Sequence, residues 1–296
     1  MPLSDEQIEM SAGATSATVR IGLINNMPDA ALKATERQFR NLILSAAEGI
    51  DVQLLLFALP EVRRAGWAQH YLNSRYLCAT ELPGTTLDGI IVTGAEPRAA
   101  SLPEEPYWGS LTKVIDWAGR NTRSAIWSCL AAHAVVQHCD GIERQRLAQK
   151  RFGVFECVPV ANDPMMAGTG ASFYVPHSRW NDIPEQDLIG AGYRILSRDT
   201  AGHVDAFVKR GTSLFLFFQG HPEYEPDTLL LEQKRDAARY PEAAIEQNPL
   251  RSHPESVEWT SLAVGIYRNW VRYLMEQKEP RQSREALAQV ASCGQP

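Results

Sequence analysis

From residue 18 onward, apolar runs of strand length alternate with helix-length amphipathic patterns. Residues 19–25 (VRIGLIN) predict a strand, and 30–47 a helix whose inner face can carry Leu32, Phe39, Leu42 and Leu44. Residues 52–57 (VQLLLF) predict a short strand, followed by a Pro- and Gly-punctuated connection to another at 89–93 (GIIVT). A helix is expected over 107–119, a strand over 124–128 (SAIWS), and a helix over 130–138. Near-continuous apolar strands separated by helices imply an α/β fold, with a mostly parallel sheet covered by helices on both faces. Runs near 154–160, 206–209 and 214–218 extend that sheet or form an antiparallel edge. Helices starting near Pro226 and over 257–276 close the pattern. One α/β domain over 18–279 is expected, between a polar arm at 1–17 and a polar tail at 280–296.

Bulk composition narrows the function classes. Charged residues are 22% and hydrophobic ones 44%, with a formal net charge of −6, which argues against a nucleic-acid partner. No stretch of about 18 apolar residues occurs, and no basic head precedes an apolar segment, so neither a membrane span nor a secretion signal is expected. The five cysteines are scattered and form no CxxC pair, which disfavours zinc and a disulfide framework. A reducing cytoplasm is the expected setting, and no metal is expected.

One cysteine stands apart by position. In SAIWSCLAAHAVV, Cys129 falls between a strand and a helix, where parallel sheets bind their ligands. A sharp turn there lifts the thiol from the sheet and bares backbone N–H groups for an oxyanion, while the helix N-terminus favours the thiolate. No glycine flanks it, so strain is expected around Ser128 and Leu130. Cys139 and Cys157 read as small buried hydrophobes, the ordinary fate of a free cysteine. A second apolar strand runs into Gln219-Gly220-His221-Pro222-Glu223. On extended backbone His221 and Glu223 would share a face, giving an imidazole base with a carboxylate to orient it. His133 and His138 read as packing or surface residues, and His177 falls in a loop-like polar cluster, PHSRWND.

Taken in order, INNMP with TERQF, IIVTGAEP, EPYW, the Cys129 turn, PHSRW and GHPEYEPDTL resemble the homoserine O-acyltransferases related to class I glutamine amidotransferases. The resemblance covers roughly residues 18 to 276. It implies a flavodoxin-like α/β domain and a ping-pong transfer from an acyl-CoA, through a cysteine thioester, to the hydroxyl of homoserine on the way to methionine. In that reading Cys129 is the nucleophile, His221 the general base and Glu223 its partner. Lys150 in QKRFGVF, Ser178 in PHSRW and Arg235 in EQKRDA match the family's substrate-binding positions. No tightly bound cofactor is implied, only acyl-CoA as co-substrate, and a homodimer fits the family.

Departures bear on the substrates. Leu130 follows the nucleophile where the family often has Trp, and DAALKA, with Lys33, is two residues longer than the usual lysine-bearing loop. The acyl-selecting position is Arg98, where succinyl-using members resemble glycine and acetyl-using members glutamate. An arginine there could pair with a succinyl carboxylate, which favours succinyl over acetyl. NPLRSHPES replaces an aromatic, histidine-rich stretch before the final helix, which leaves the acceptor open between homoserine and another hydroxy amino acid such as serine. A glutaminase is the alternative enzyme, disfavoured because SCLAA lacks glycines around the nucleophile. An inactive regulatory relative is the non-enzymatic one, and an intact Cys-His-Glu set speaks against it.

Overall fold

A computed structural model of the protein describes residues 18–239 and 255–278; the expected arm, the tail and most of the NPLRSHPES segment lie outside them. Ten strands form one continuous sheet in the order β3-β2-β1-β4-β5-β10-β9-β8-β6-β7. The first six are β3 (Leu77–Cys78), β2 (Val52–Ala58), β1 (Val19–Ile24), β4 (Gly89–Val92), β5 (Ser124–Ser128) and β10 (Leu214–Phe218), all parallel. The rest are β9 (Val204–Arg210), β8 (Arg194–Asp199), β6 (Gln145–Pro159) and β7 (Phe173–Asp182), which pair antiparallel and make a wing.

Burial on both faces explains the near-continuous apolar strands. Phe57, Val92, Trp127 and Phe217 pack under α3 (Trp108–Asn121) and α4 (Leu130–Asp140). Leu23, Ile91, Ile126 and Leu216 face the other way, under α1 (Asp29–Ala47) and α7 (Glu255–Lys278), which follows α5 (Glu185–Gly190) and α6 (Thr228–Arg239) in the chain. Neighbouring residues of one strand thus serve opposite cores, as the two-residue period of a strand requires. Gly89 has no side chain because a Cβ there would stand 2.8 Å from Leu274 Cδ1 and Trp270 Cζ2 of α7.

Some expectations need correction. PHSRWND is strand rather than loop: it is most of β7, with His177 opposite Gly153 and Ser178 opposite Phe152 of β6. Its buried face carries His177 and Arg179, so no apolar alternation marks it. Leu44, expected inward, is 43% exposed. Cys157 is buried, but Cys139 is exposed near the end of α4. The connection after β2 contains α2 (Gly66–Arg75), which buries only Ala68 and Leu72 and shows no amphipathic stripe. Among the described residues, no helix is long and apolar enough to cross a membrane.

Candidate active site

Cys129 sits where β5 ends and α4 begins. Its backbone adopts φ 52° and ψ −115°, outside the regions open to most L-residues, so the strain falls on the cysteine itself rather than on Ser128 or Leu130. The turn is tied down by the Cys129 N–H, which donates to the Phe218 carbonyl at the end of β10 (2.7 Å). The N–H groups of Leu130 and Ala131, in the first turn of α4, have no intrahelical acceptor. Beside them runs the loop after β4, where a Cβ on Gly94 would come within 3.3 Å of Leu130 N.

His221 arrives from the end of β10. Tyr224 N–H donates to the His221 carbonyl (3.1 Å), so His221-Pro222-Glu223 form a tight turn rather than the expected extended run. Pro222 suits the second position of such a turn through its fixed φ. The turn still brings His221 Nδ1 to 2.9 Å from Glu223 Oε1, and both residues are buried. Tyr224 stacks on the imidazole, ring centres 4.3 Å apart and nearly parallel. Burial alone would lower the His221 pKa. The Glu223 carboxylate and the Cys129 sulfur, which is in hydrogen-bonding contact with the ring, outweigh it and hold the imidazolium well above the usual histidine range. The three residues therefore form a chain of sulfur, imidazole and carboxylate suited to nucleophilic acyl transfer.

The thiol opens into a cavity of about 580 Å³, lined also by His221, Lys150, Ser178 and Arg235. Lys150 Nζ lies 2.6 Å from Asp236 Oδ2, and Arg235 bonds Asp236 (3.2 Å) and Glu232 (3.3 Å). Burial would raise Asp236, but its bonds to Lys150 and Arg235 hold its carboxyl below the usual range. Tyr224 Oη donates to the same Glu232 (3.1 Å), joining the Lys150-Asp236-Arg235 cluster to the ring stacked on His221.

Other placements differ from expectation. Arg98 is exposed and does not line the cavity, although Glu96, Pro97 and Ala99 do; its backbone N–H is used by Glu105 (2.5 Å). Lys33 lies on α1 over the rings of Tyr71 and Trp67. His138 pairs with Asp116 away from the cavity (2.9 Å). His133, by contrast, is buried one turn after Cys129 and reaches the cavity wall. Sequence reasoning missed Arg144, Arg146, Arg179, Tyr224, Glu232 and Asp236 on the lining. Glu232 and Asp236 flank Arg235 at helical spacing, a signal that was available; GIERQR around Arg144 reads as surface and offered none.

His177 is buried behind the Gly220-His221 turn with Cys157 and Asp205, their ligand-type atoms all within 4.8 Å. Arg151 and Arg179 already bear on His177, and burial pushes the Cys157 thiol up, so this group is set against a cation. It reads as packing support for the Gly220-His221 backbone.

Residues 7–281 match the family model described as homoserine O-succinyltransferase. A homoserine O-succinyltransferase of Rhodopseudomonas palustris is 48% identical over 227 residues, covering 77% of this chain and 68% of that one. One from Methylorubrum extorquens is 40% identical over 290 residues, covering 86% of each. Among solved structures, a glutamine amidotransferase of Methylobacillus flagellatus superposes with a TM-score of 0.55 at 16% identity, over 88% of this chain and 96% of that one. A Thermotoga maritima glutamine amidotransferase gives 0.52 at 11%, over 87% and 98%. The structures speak for an amidotransferase-like, flavodoxin-type α/β fold; the sequence matches go further, and on them the chain belongs to the homoserine O-succinyltransferase family.

Proposed function

We propose that this chain transfers a succinyl group from succinyl-CoA to the hydroxyl of L-homoserine by a two-step exchange through a thioester on Cys129, in the cytoplasmic synthesis of methionine. The observation that carries the chemistry is His221, set between the Cys129 sulfur and the Glu223 carboxylate beside an open cavity. In the first step the Cys129 thiolate attacks the thioester carbon of succinyl-CoA. The negative oxygen so formed is stabilised by N–H groups at the head of α4. As the carbon–sulfur bond to coenzyme A breaks, its thiolate takes the proton carried by the His221 imidazolium. In the second step neutral His221 accepts the homoserine hydroxyl proton, and the oxygen attacks the acylated sulfur's carbonyl. As the ester bond forms, the carbon–sulfur bond to Cys129 breaks and restores the thiolate beside a protonated imidazole, so the charges balance over the cycle.

Lys150, Ser178 and Arg235 are assigned to the acceptor. An arginine matches a carboxylate in two-point fashion, and Asp236 and Glu232 hold the two cations while leaving donors free. Intact-mass measurement tests the reading. The protein mixed with succinyl-CoA and no acceptor is expected to gain one succinyl unit, lost on adding homoserine and absent in Cys129→Ala. No adduct from any acyl-CoA, with labelling of Cys129 by a glutamine-derived electrophile, would move the assignment to a glutaminase.

A further inference from the structure

Five cationic side chains line the cavity: Arg144, Arg146, Lys150, Arg179 and Arg235. Four have visible employment. Lys150 and Arg235 share Asp236. Arg179 pairs with Asp182 (2.7 Å), and Arg146 lies over the Trp180 ring (4.5 Å). Arg144 is different. Among the described residues, no carboxylate, carbonyl or ring receives its guanidinium, although it is half-buried in the short link between α4 and β6. A desolvated cation without a counter-ion is costly and persists where a ligand supplies the anion.

Its surroundings specify which anion. Burial lowers the Arg144 pKa, and the groups acting against that are Tyr107, Glu105 and the Cys129 sulfur, with Arg146 opposing them. Arg144 therefore shares the cavity with the Cys129 sulfur and feels its charge, whereas Lys150 and Arg235 are tied together through Asp236. Glu105 does not neutralise it: one carboxylate oxygen takes the Arg98 and Ala99 N–H groups, and the other is buried without a partner. The Tyr107 hydroxyl is likewise buried and unpartnered. Arg144 is thus the cavity-lining guanidinium left without a counter-ion among the described residues.

We propose that Arg144 binds the free carboxylate of the succinyl group while its other end is carried on Cys129. This rests on the acyl-transfer reading above and gives its donor specificity a residue. It also moves to Arg144 the role expected of Arg98, whose side chain is exposed and off the cavity wall.

Thioester formation without acceptor, followed by rapid-quench mass spectrometry, separates the possibilities. Arg144→Met is expected to lower the second-order rate with succinyl-CoA by roughly 10- to 100-fold, as for loss of a charged two-point hydrogen bond. Rates with acetyl-CoA and butyryl-CoA should stay within about threefold, because neither carries the distal carboxylate. Arg144→Lys should recover part of the succinyl rate, and Arg98→Gly should leave it unchanged. Equal losses with all three donors would overturn the proposal in favour of a contact with coenzyme A or the thiolate. Unchanged acylation with a raised KM for homoserine would overturn it in favour of the acceptor's carboxylate. Loss in Arg98→Gly instead of Arg144→Met would return the role to Arg98. If the unaltered protein formed no succinyl adduct, the acyl-transfer reading itself would fall, a result distinct from all of these. Matching circular dichroism and unfolding midpoints of the variants exclude misfolding as the cause.

Discussion

A cysteine at φ 52° holds its thiol clear of the sheet at an energetic cost, and Cys129 bears that cost itself. Backbone strain of this kind amounts to about 1–3 kcal/mol, while glycine in an ordinary position costs about 0.5–1 kcal/mol relative to alanine. The sign of a glycine substitution should therefore reverse here. Cys129→Gly and Cys129→Ala both remove the sulfur, but only glycine relaxes the turn. We expect the glycine variant to unfold about 2–4 °C above the alanine variant, an advantage of about 1 kcal/mol for a chain of this size. Thermal unfolding of the two inactive proteins measures this directly, and a lower midpoint for glycine would remove the claim of stored strain. At this scale the grouping of Cys129, His221 and Glu223 was legible because each follows an apolar strand. Arg144 was not, since an isolated arginine in a polar link is marked only by what surrounds it in space.

Elements place these residues by backbone contacts more than by side-chain propensity. His221 is held because its N–H donates to the Pro176 carbonyl of β7 (2.7 Å) and the Gln219 N–H to the Asp205 carbonyl of β9 (2.8 Å). Gly220 lies between, where a Cβ would stand 2.6 Å from Val175 Cγ1, 2.8 Å from Asp205 Oδ1 and 2.9 Å from His177 Cε1. Gly220→Ala must therefore push the His221 turn off β7 and β9. We expect a loss of about 1–3 kcal/mol in denaturant unfolding, typical of overpacking, and thioester formation slowed about 100-fold by misplacing the base. A variant acylated at the normal rate would show that this backbone is not what locates His221. The same contacts explain which elements were readable. The parallel strands announced themselves by apolar runs buried on both faces. β7 did not, because the face it buries carries His177 and Arg179, and α2 did not, because it buries only two residues.

Across the whole molecule, two buried histidines, His133 on α4 and His177 on β7 of the wing, are tuned opposite to His221. Burial pushes His133 and His177 each down to about 4, with Gln219 and Asp205 only partly opposing it. Arg179 adds its positive charge to both, Arg144 to His133 and Arg151 to His177. Hydrogen bonding agrees with a neutral His177: Arg179 Nε donates to its Nδ1 (3.3 Å), which must then be bare. In the unfolded chain both rings titrate near 6.5, so between pH 6.5 and 4 the unfolded state binds more protons than the folded one. Stability must rise with pH across that window and fall on acidification, by about 3 kcal/mol per histidine at the low end. His221 adds nothing there, since its folded pKa is raised. Its contribution is full below its unfolded value and is lost only as pH rises through the folded one. The two effects leave maximum stability near neutrality. Asp182, held down at about 2 chiefly by Arg179 against the effect of burial, extends the acid loss below the ordinary carboxylate range. Urea unfolding at pH 6.5 and 4.5 should show the acid loss in the unaltered protein. In His133→Gln with His177→Gln the difference between the two pH values should shrink to what the carboxylates contribute, whatever the variant's absolute stability. An undiminished difference would mean that other groups carry the acid sensitivity and that these rings are charged in the folded protein.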